Sequence, residues 1–232
     1  MANESSSYRG VILDIDGTLV DSNEAHVQAW TRAFSEHGFN VPAEEVRRLV
    51  GMGGDNLVPA AVGLENEDPR SKSLRERHGE LFKEKLPGLR PFPRVRELLQ
   101  RMKEDGMELV VATSSNPDQM KALLEIADVG DLLEDAASKG DAKSSKPDPD
   151  IVQAALERIG LAAGEVVMLG DTPYDVEAAG RIGIRTLALR CGGFTDEDLA
   201  GALAIYDNAA DLLARYESSP LATASAVMAG RR

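Results

Sequence analysis

Short apolar runs alternate with amphipathic helical stretches along most of this chain, and the alternation is broken once. Runs at 10–15, 109–112, 132–136, 166–169 and 186–189 have the length and residue types of buried strands. Between them, Val95, Leu98, Leu99 and Met102 share one helical face. Met120, Leu123, Leu124 and Ala127 share a second, and Ile151, Val152, Ala155, Leu156 and Ile159 a third. Strands that alternate with helices imply an α/β fold, a doubly wound parallel sheet covered on both faces.

The break falls just after the first run. No strand pattern is found over 21–90. Helices are expected over 23–37, with Trp30, Ala33 and Phe34 on the apolar side, and over 43–50, 57–62 and 71–86. Asp21 or Ser22 suits the first N-cap, and Pro87-Gly88, Pro91 and Pro93 punctuate the return. The expected organisation is therefore a Rossmann-like core made of 1–20 and 91–232, with an inserted α-helical cap domain over 21–90. The Ala- and Ser-rich end, 218–232, reads as a loose tail.

Charge narrows the partners. The chain has 232 residues and a net charge of -13, with 39 acidic against 26 basic side chains. That surface repels nucleic acid and anionic lipid, and no Lys/Arg run reverses it locally. No stretch approaches the roughly 20 apolar residues of a membrane span, and the polar start is no signal peptide. The single cysteine, Cys191, forms no internal disulfide and fits a reducing compartment, so the cytoplasm is the expected location. It reads as a packing residue, not a nucleophile. A monomer is the default expectation, with a dimer left open.

Chemistry gathers at strand ends. The first run leads into Asp14-Ile15-Asp16-Gly17-Thr18, two carboxylates two residues apart. The second leads into Thr113-Ser114-Ser115-Asn116 ahead of Pro117, where hydroxyls and free N–H groups can take an anion. Lys146 stands in Ser144-Ser145-Lys146-Pro147-Asp148-Pro149; Asp148 suits an N-cap and Pro149 a first helical residue. The fourth element is Gly170-Asp171-Thr172-Pro173-Tyr174-Asp175. Singly, each has a bland reading as a turn, a helix cap or a solvated lysine. Jointly, in a doubly wound sheet, these ends converge on one crevice. Carboxylates massed there call for a hard cation such as Mg2+, which with Lys146 would make a cationic site on an acidic protein. A calcium-binding loop is excluded: counting from Asp14, position six is Leu19 and position twelve is Ala25.

The order and spelling of these motifs resemble the haloacid dehalogenase-like hydrolase superfamily, in its phosphoglycolate phosphatase and β-phosphoglucomutase-like branch with a helical cap. The resemblance spans roughly 9–213. It implies magnesium-dependent hydrolysis of small phosphate monoesters, phosphoglycolate or sugar-phosphate-like, through an aspartyl-phosphate. Carried over, Asp14 is the nucleophile and Asp16 the general acid and base; a carboxylate in that place can be a neutral acid if its surroundings raise its pKa. Asp14, Asp16 through its carbonyl, and Asp171 hold Mg2+, supported by Asp175 through water or Lys146. Thr113, Ser114 and Lys146 hold the phosphoryl oxygens. The loop 51–56, with Gly53 and Gly54, is similar to a cap loop facing substrate. His26 reads first as a packed histidine on the Trp30 face and second as a group approaching the site. The expected partner is a small phosphorylated metabolite.

Three rival readings are each opposed by a feature of the sequence. A β-phosphoglucomutase-like mutase is disfavoured by Thr18 after Gly17 and by the lack of an arginine in the 51–56 loop. A metal-free dehalogenase is disfavoured by Asp16. A non-catalytic metal- or partner-binding module is disfavoured by the intact set of motifs.

Overall fold

The computed structural model describes residues 8–133 and 135–222. Six parallel strands form one sheet in the order β3-β2-β1-β4-β5-β6. They are β1 (Gly10–Leu13), β2 (Glu108–Ala112), β3 (Asp135–Ala137), β4 (Val166–Gly170), β5 (Arg185–Leu189) and β6 (Ala204–Tyr206). The first five match the expected runs within a few residues. The sixth corrects the sequence reading. It is a three-residue edge strand, only half-buried except at Tyr206, so it carries no long apolar run.

Side chains of the central strand divide between two cores with the period of two that a pleated strand imposes. Val11 and Leu13 join Leu98, Leu99, Leu123 and Leu212 on one face. Ile12 joins Ile151, Val152, Ala178 and Ala179 on the other. The helices covering the first face are α5 (Val95–Glu104), α6 (Pro117–Ala127) and α9 (Ala209–Ala214); α7 (Asp150–Ile159) and α8 (Pro173–Arg181) cover the second. α9 was not foreseen, because six residues are too few to display a period.

Between β1 and α5 run four helices: α1 (Asn23–Glu36), α2 (Ala43–Leu49), α3 (Gly54–Val62) and α4 (Pro69–Lys83). Their apolar sides meet through Val27, Trp30, Phe34, Val46, Leu57, Leu74 and Phe82, all buried. Two caps differ from expectation. Ser22 precedes α1 but makes no capping bond; its hydroxyl turns to Asp16 instead. α7 begins at Asp150, and Asp148 pairs with Arg181 at 3.0 Å. Of the expected loose tail, 223–232 lie outside the described residues. Ser219 and Leu221 are buried. No described helix is long and apolar enough to cross a membrane.

Candidate active site

In this strand order β1 is followed through β2 and β3 on one side, and through β4 and β5 on the other. Asp14 ends β1 and Asp171 ends β4, its neighbour, so both stand at the switch point where open α/β sheets bind ligands. Gly17 lets the chain leave this point. Its φ is +75°, and a Cβ there would run into the Asp171 carboxylate. The turn brings Thr18 Oγ1 to donate to Asp171 Oδ1 at 2.7 Å, with Asp14 Oδ2 at 3.3 Å.

Lys146 arrives from the loop between β3 and α7 and is 1% exposed. Its Nζ lies 2.5 Å from Asp14 Oδ1 and 2.7 Å from Asp175 Oδ1. Burial pulls the ammonium down, but Asp14 and Asp175 outweigh it and hold the group above its ordinary pKa. Asp175 uses its other oxygen on its own helix: Oδ2 accepts from the Asp171 and Thr172 N–H groups and from Thr172 Oγ1 at 2.7 Å. With Thr172 it closes a capping box at the start of α8. Of the two partners through which Asp175 was expected to support a metal, water and Lys146, the structure brings it against Lys146.

Carboxylate oxygens of Asp14, Asp171 and Asp175 lie within 4.8 Å of one another. Burial, then the neighbouring carboxylates, push Asp14 up to about 7 against the pull of Lys146. Burial, then Asp14 and Asp175, push Asp171 well above the ordinary carboxylate range. Among the described residues Asp171 meets neutral donors, Thr18 and Asn23 Nδ2 at 3.0 Å. Full ionisation of three carboxylates against one ammonium would leave two uncompensated negative charges, and the raised pKa values of Asp14 and Asp171 express that conflict. An all-oxygen donor set with that excess fits a hard divalent cation.

Asp16 lies apart from this cluster in a different environment. It accepts from Ser22 Oγ at 2.6 Å, His26 Nε2 at 2.9 Å and Ser115 Oγ at 2.8 Å. Burial would raise it, yet His26, Ser22 and Ser115 outweigh burial and hold it below the usual carboxylate range. The condition of a raised pKa at Asp16 is therefore not met. His26 serves both of its anticipated readings. It is buried and stacked on Phe82 with centroids 3.9 Å apart, and it also touches Asp16. Its Nδ1 meets His78 Nε2 at 3.1 Å, and His78 stacks on Trp30 at 4.0 Å. Burial, then His26, hold His78 well below the ordinary histidine pKa, so it is neutral at pH 7.

A cavity of about 540 Å³ opens over these groups. Asp14, Asp16, Thr113, Ser114 and Asp175 line its core side; Gly53, Gly54, Arg75 and His78 line the helical side. Thr113 is buried, and Ser114 Oγ is buried with no hydrogen-bond partner among the described residues. The cavity therefore joins every residue anticipated from sequence except Lys146 and Asp171, which lie beneath it in contact with Asp14 or Thr18. Cys191 stands nearby, its Sγ 3.2 Å from the Gly17 carbonyl. Burial and Asp171 push its thiol up, which makes it a poor nucleophile.

Four residues around the site escaped the sequence reading: Asn23, Ser115, His78, and Thr18 as a bridge between acids. Thr18 and Ser115 stood inside quoted motifs. His78 stands one helical turn from both Leu74 and Phe82, a spacing that carries no sign of a site.

The haloacid dehalogenase-like hydrolase family model matches residues 11–189. The chain belongs to that family. Phosphoglycolate phosphatase from Rhodospirillum rubrum is 31% identical over 216 residues, covering 88% of this chain and 89% of the relative. N-acetylmuramic acid 6-phosphate phosphatase from Pseudomonas aeruginosa is 27% identical, covering 88% and 93%. Among solved structures, a hydrolase from Pseudomonas syringae superposes with a TM-score of 0.84 at 28% identity, covering 90% of this chain and 98% of that one. A β-phosphoglucomutase-like protein from Bacteroides vulgatus gives 0.83 at 25%, covering 95% and 93%. The chain is thus a haloacid dehalogenase-like enzyme of the phosphatase and β-phosphoglucomutase-like branch.

Proposed function

We propose that this phosphatase hydrolyses small phosphate monoesters, phosphoglycolate or sugar-phosphate-like, through a phosphoryl group carried on Asp14 in the presence of Mg2+. The observation that carries the reading is Lys146 buried against Asp14 and Asp175, with Asp171 in the same cluster, under a cavity large enough for such esters.

Asp14, Asp171 and the backbone carbonyl of Asp16 would hold the Mg2+ ion, with Asp175 in support. Bound there, the ion supplies positive charge that lets an anionic carboxylate meet an anionic phosphate. Lys146 supplies the second positive charge. Thr113 and Ser114 present hydroxyls to the phosphoryl oxygens. A carboxylate oxygen of Asp14 forms a bond to phosphorus as the bond to the leaving alkoxide breaks. The hydrogen-bonded pair of Asp16 and His26, in contact at 2.9 Å, holds the proton that Asp16 relays to that oxygen. Water then attacks phosphorus, Asp16 takes its proton, and the bond from Asp14 to phosphorus breaks. Phosphate leaves with Asp14 restored. In this reading, 21–90 form a cap over a core of 1–20 and 91–232, and exclude bulk water while these steps occur.

Asp14→Asn tests the reading. A neutral amide is a poor nucleophile, so turnover across a panel of phosphorylated metabolites with Mg2+ falls by several orders of magnitude while the melting transition persists. Appreciable residual turnover in a folded Asp14→Asn protein overturns the assignment.

A further inference from the structure

The chemistry above leaves unexplained the two polar residues that open α3. Asp55 and Asn56 stand in its first turn, yet neither side chain is spent on α3 itself. Both cross to the loop that carries Lys146. Asn56 Nδ2 donates to the carbonyl of Ser145 at 2.8 Å and to that of Lys146 at 3.1 Å. Asp55 Oδ2 accepts from the backbone N–H of Ser145 at 3.0 Å and from Lys139 Nζ at 2.5 Å. Ser145 is therefore gripped on both its backbone polar groups, and Lys146 on its carbonyl, by side chains from the helical insert.

The approach is close and built for. A Cβ at Gly53 would run into Ser145 Oγ, so glycine is the residue that lets the two loops touch. Ser145 and Lys146 are 0% and 1% exposed, so their backbone groups have little access to water. The Ser145 carbonyl also accepts from the Asp148 N–H at 3.0 Å, whereas for the Ser145 N–H and the Lys146 carbonyl the partners among the described residues are Asp55 and Asn56, and a buried carbonyl or N–H left unpaired costs about 1–3 kcal/mol. Asp55 is held below the ordinary carboxylate range, since Lys139 and Ser145 outweigh the effect of its burial. The segment from Ala142 to Pro149 contains neither helix nor strand, so no ladder of backbone bonds fixes it. Its ammonium end is fixed by Asp14 and Asp175.

We propose that Asp55 and Asn56 are positioning residues that couple the seating of α1–α4 on the sheet to the placement of Lys146. The bonds to Ser145 and Lys146 exist only when α3 sits against the core. Seating therefore tightens the backbone under Lys146, and lifting loosens it. Substrate enclosure and correct placement of the phosphate-binding cation become one event. This inference deepens the phosphatase reading and rests on it for its catalytic consequence.

Two measurements test it, one of them independent of activity. First, kcat and KM for p-nitrophenyl phosphate with Mg2+ are compared in wild type, Asn56→Leu and Asn56→Gln. Leucine keeps the bulk and removes the donor; glutamine keeps the donor. Asn56→Leu lowers kcat about 30-fold, the scale of a sub-ångström misplacement, with KM moved less than about 3-fold. Asn56→Gln recovers a substantial part of the loss. An unchanged kcat, or a raised KM at constant kcat, overturns the proposal. Second, amide hydrogen exchange is followed by mass spectrometry. In Asn56→Leu, segment 142–149 exchanges at least 10-fold faster while β1 and β4 keep wild-type protection; unchanged exchange in 142–149 overturns the clamp whatever the activity. Asp55→Asn, which is isosteric, replaces Asn56→Leu in both measurements if the latter does not fold. A wild type inactive on every phosphate ester refutes the phosphatase reading alone, and the exchange result then still decides the clamp.

Discussion

Thr18 shows at the scale of one residue how the site tolerates crowded acids. Its hydroxyl has one proton, and that proton faces Asp171 Oδ1 at 2.7 Å with Asp14 Oδ2 at 3.3 Å. The side chain is fully buried, so water cannot replace the bond. A hydrogen bond to a charged group is worth about 1.5–3 kcal/mol. Thr18→Val keeps the shape and removes the donor. It is expected to lower stability by about 2 kcal/mol in urea unfolding and turnover by about tenfold, while Thr18→Ser stays near wild type on both. Equal losses in the Val and Ser variants would mean that packing of the methyl group, not the hydroxyl, matters at this position.

At the scale of elements, α8 depends on an acid that also serves the site. Asp175 Oδ2 closes the capping box with Thr172 while Oδ1 holds Lys146. Asp175→Ala removes both, leaving a buried ammonium with Asp14 as its one carboxylate partner among the described residues. Removing one member of a buried pair costs about 3–5 kcal/mol. A loss near the lower figure is expected, since Asp14 remains, and Asp175→Asn should lose about half as much because the amide still accepts. A urea midpoint unchanged in Asp175→Ala, at unchanged slope, would show that neither role stabilises the fold. The same elements mark what a reader of the sequence could see. β1, β2, β4 and β5 were legible because parallel strands buried on both faces are written as continuous apolar runs. β6 and α9 were not, because three and six residues give no period. β3 was displaced: Leu132 belongs to a short 3-10 turn over Gly130–Leu132, and the strand begins at Asp135. Of the site, the acids, Thr113 and Lys146 were legible as motif letters at strand ends. The bond between His26 and His78 joins residues 52 apart, and that from Asn56 to Ser145 joins residues 89 apart. No local pattern announces such pairs, since they follow from how α3 and α4 pack.

On the scale of the whole molecule, a chain of net charge -13 gathers, among the described residues, one buried cluster of carboxylates that could hold a metal ion. Folding brings Asp14, Asp171 and Asp175 within 4.8 Å against a single ammonium, and burial weakens solvent screening of their repulsion. The metal-free fold is therefore strained by charge, and a divalent cation that binds only the folded state stabilises it by mass action. At a concentration one hundred times the dissociation constant the gain is about 2.7 kcal/mol, which for a chain of this size is a rise in melting temperature of roughly 5–10 °C. Chelation with EDTA should abolish both this rise and turnover, and Mg2+ should restore both. Asp171→Asn separates the charge from the chemistry. It replaces an acid of the crowded cluster by an amide whose oxygen still accepts from Asn23 Nδ2 and whose nitrogen donates to the Thr18 hydroxyl, which can reverse its hydrogen bond. The variant is expected to melt higher than wild type without metal and to respond little to Mg2+. A wild type whose melting temperature ignores millimolar Mg2+, or an Asp171→Asn protein that responds as strongly as wild type, would remove the cation from this cluster. Either result would leave side-chain cations, first among them Lys146 against Asp14, to meet an incoming phosphate.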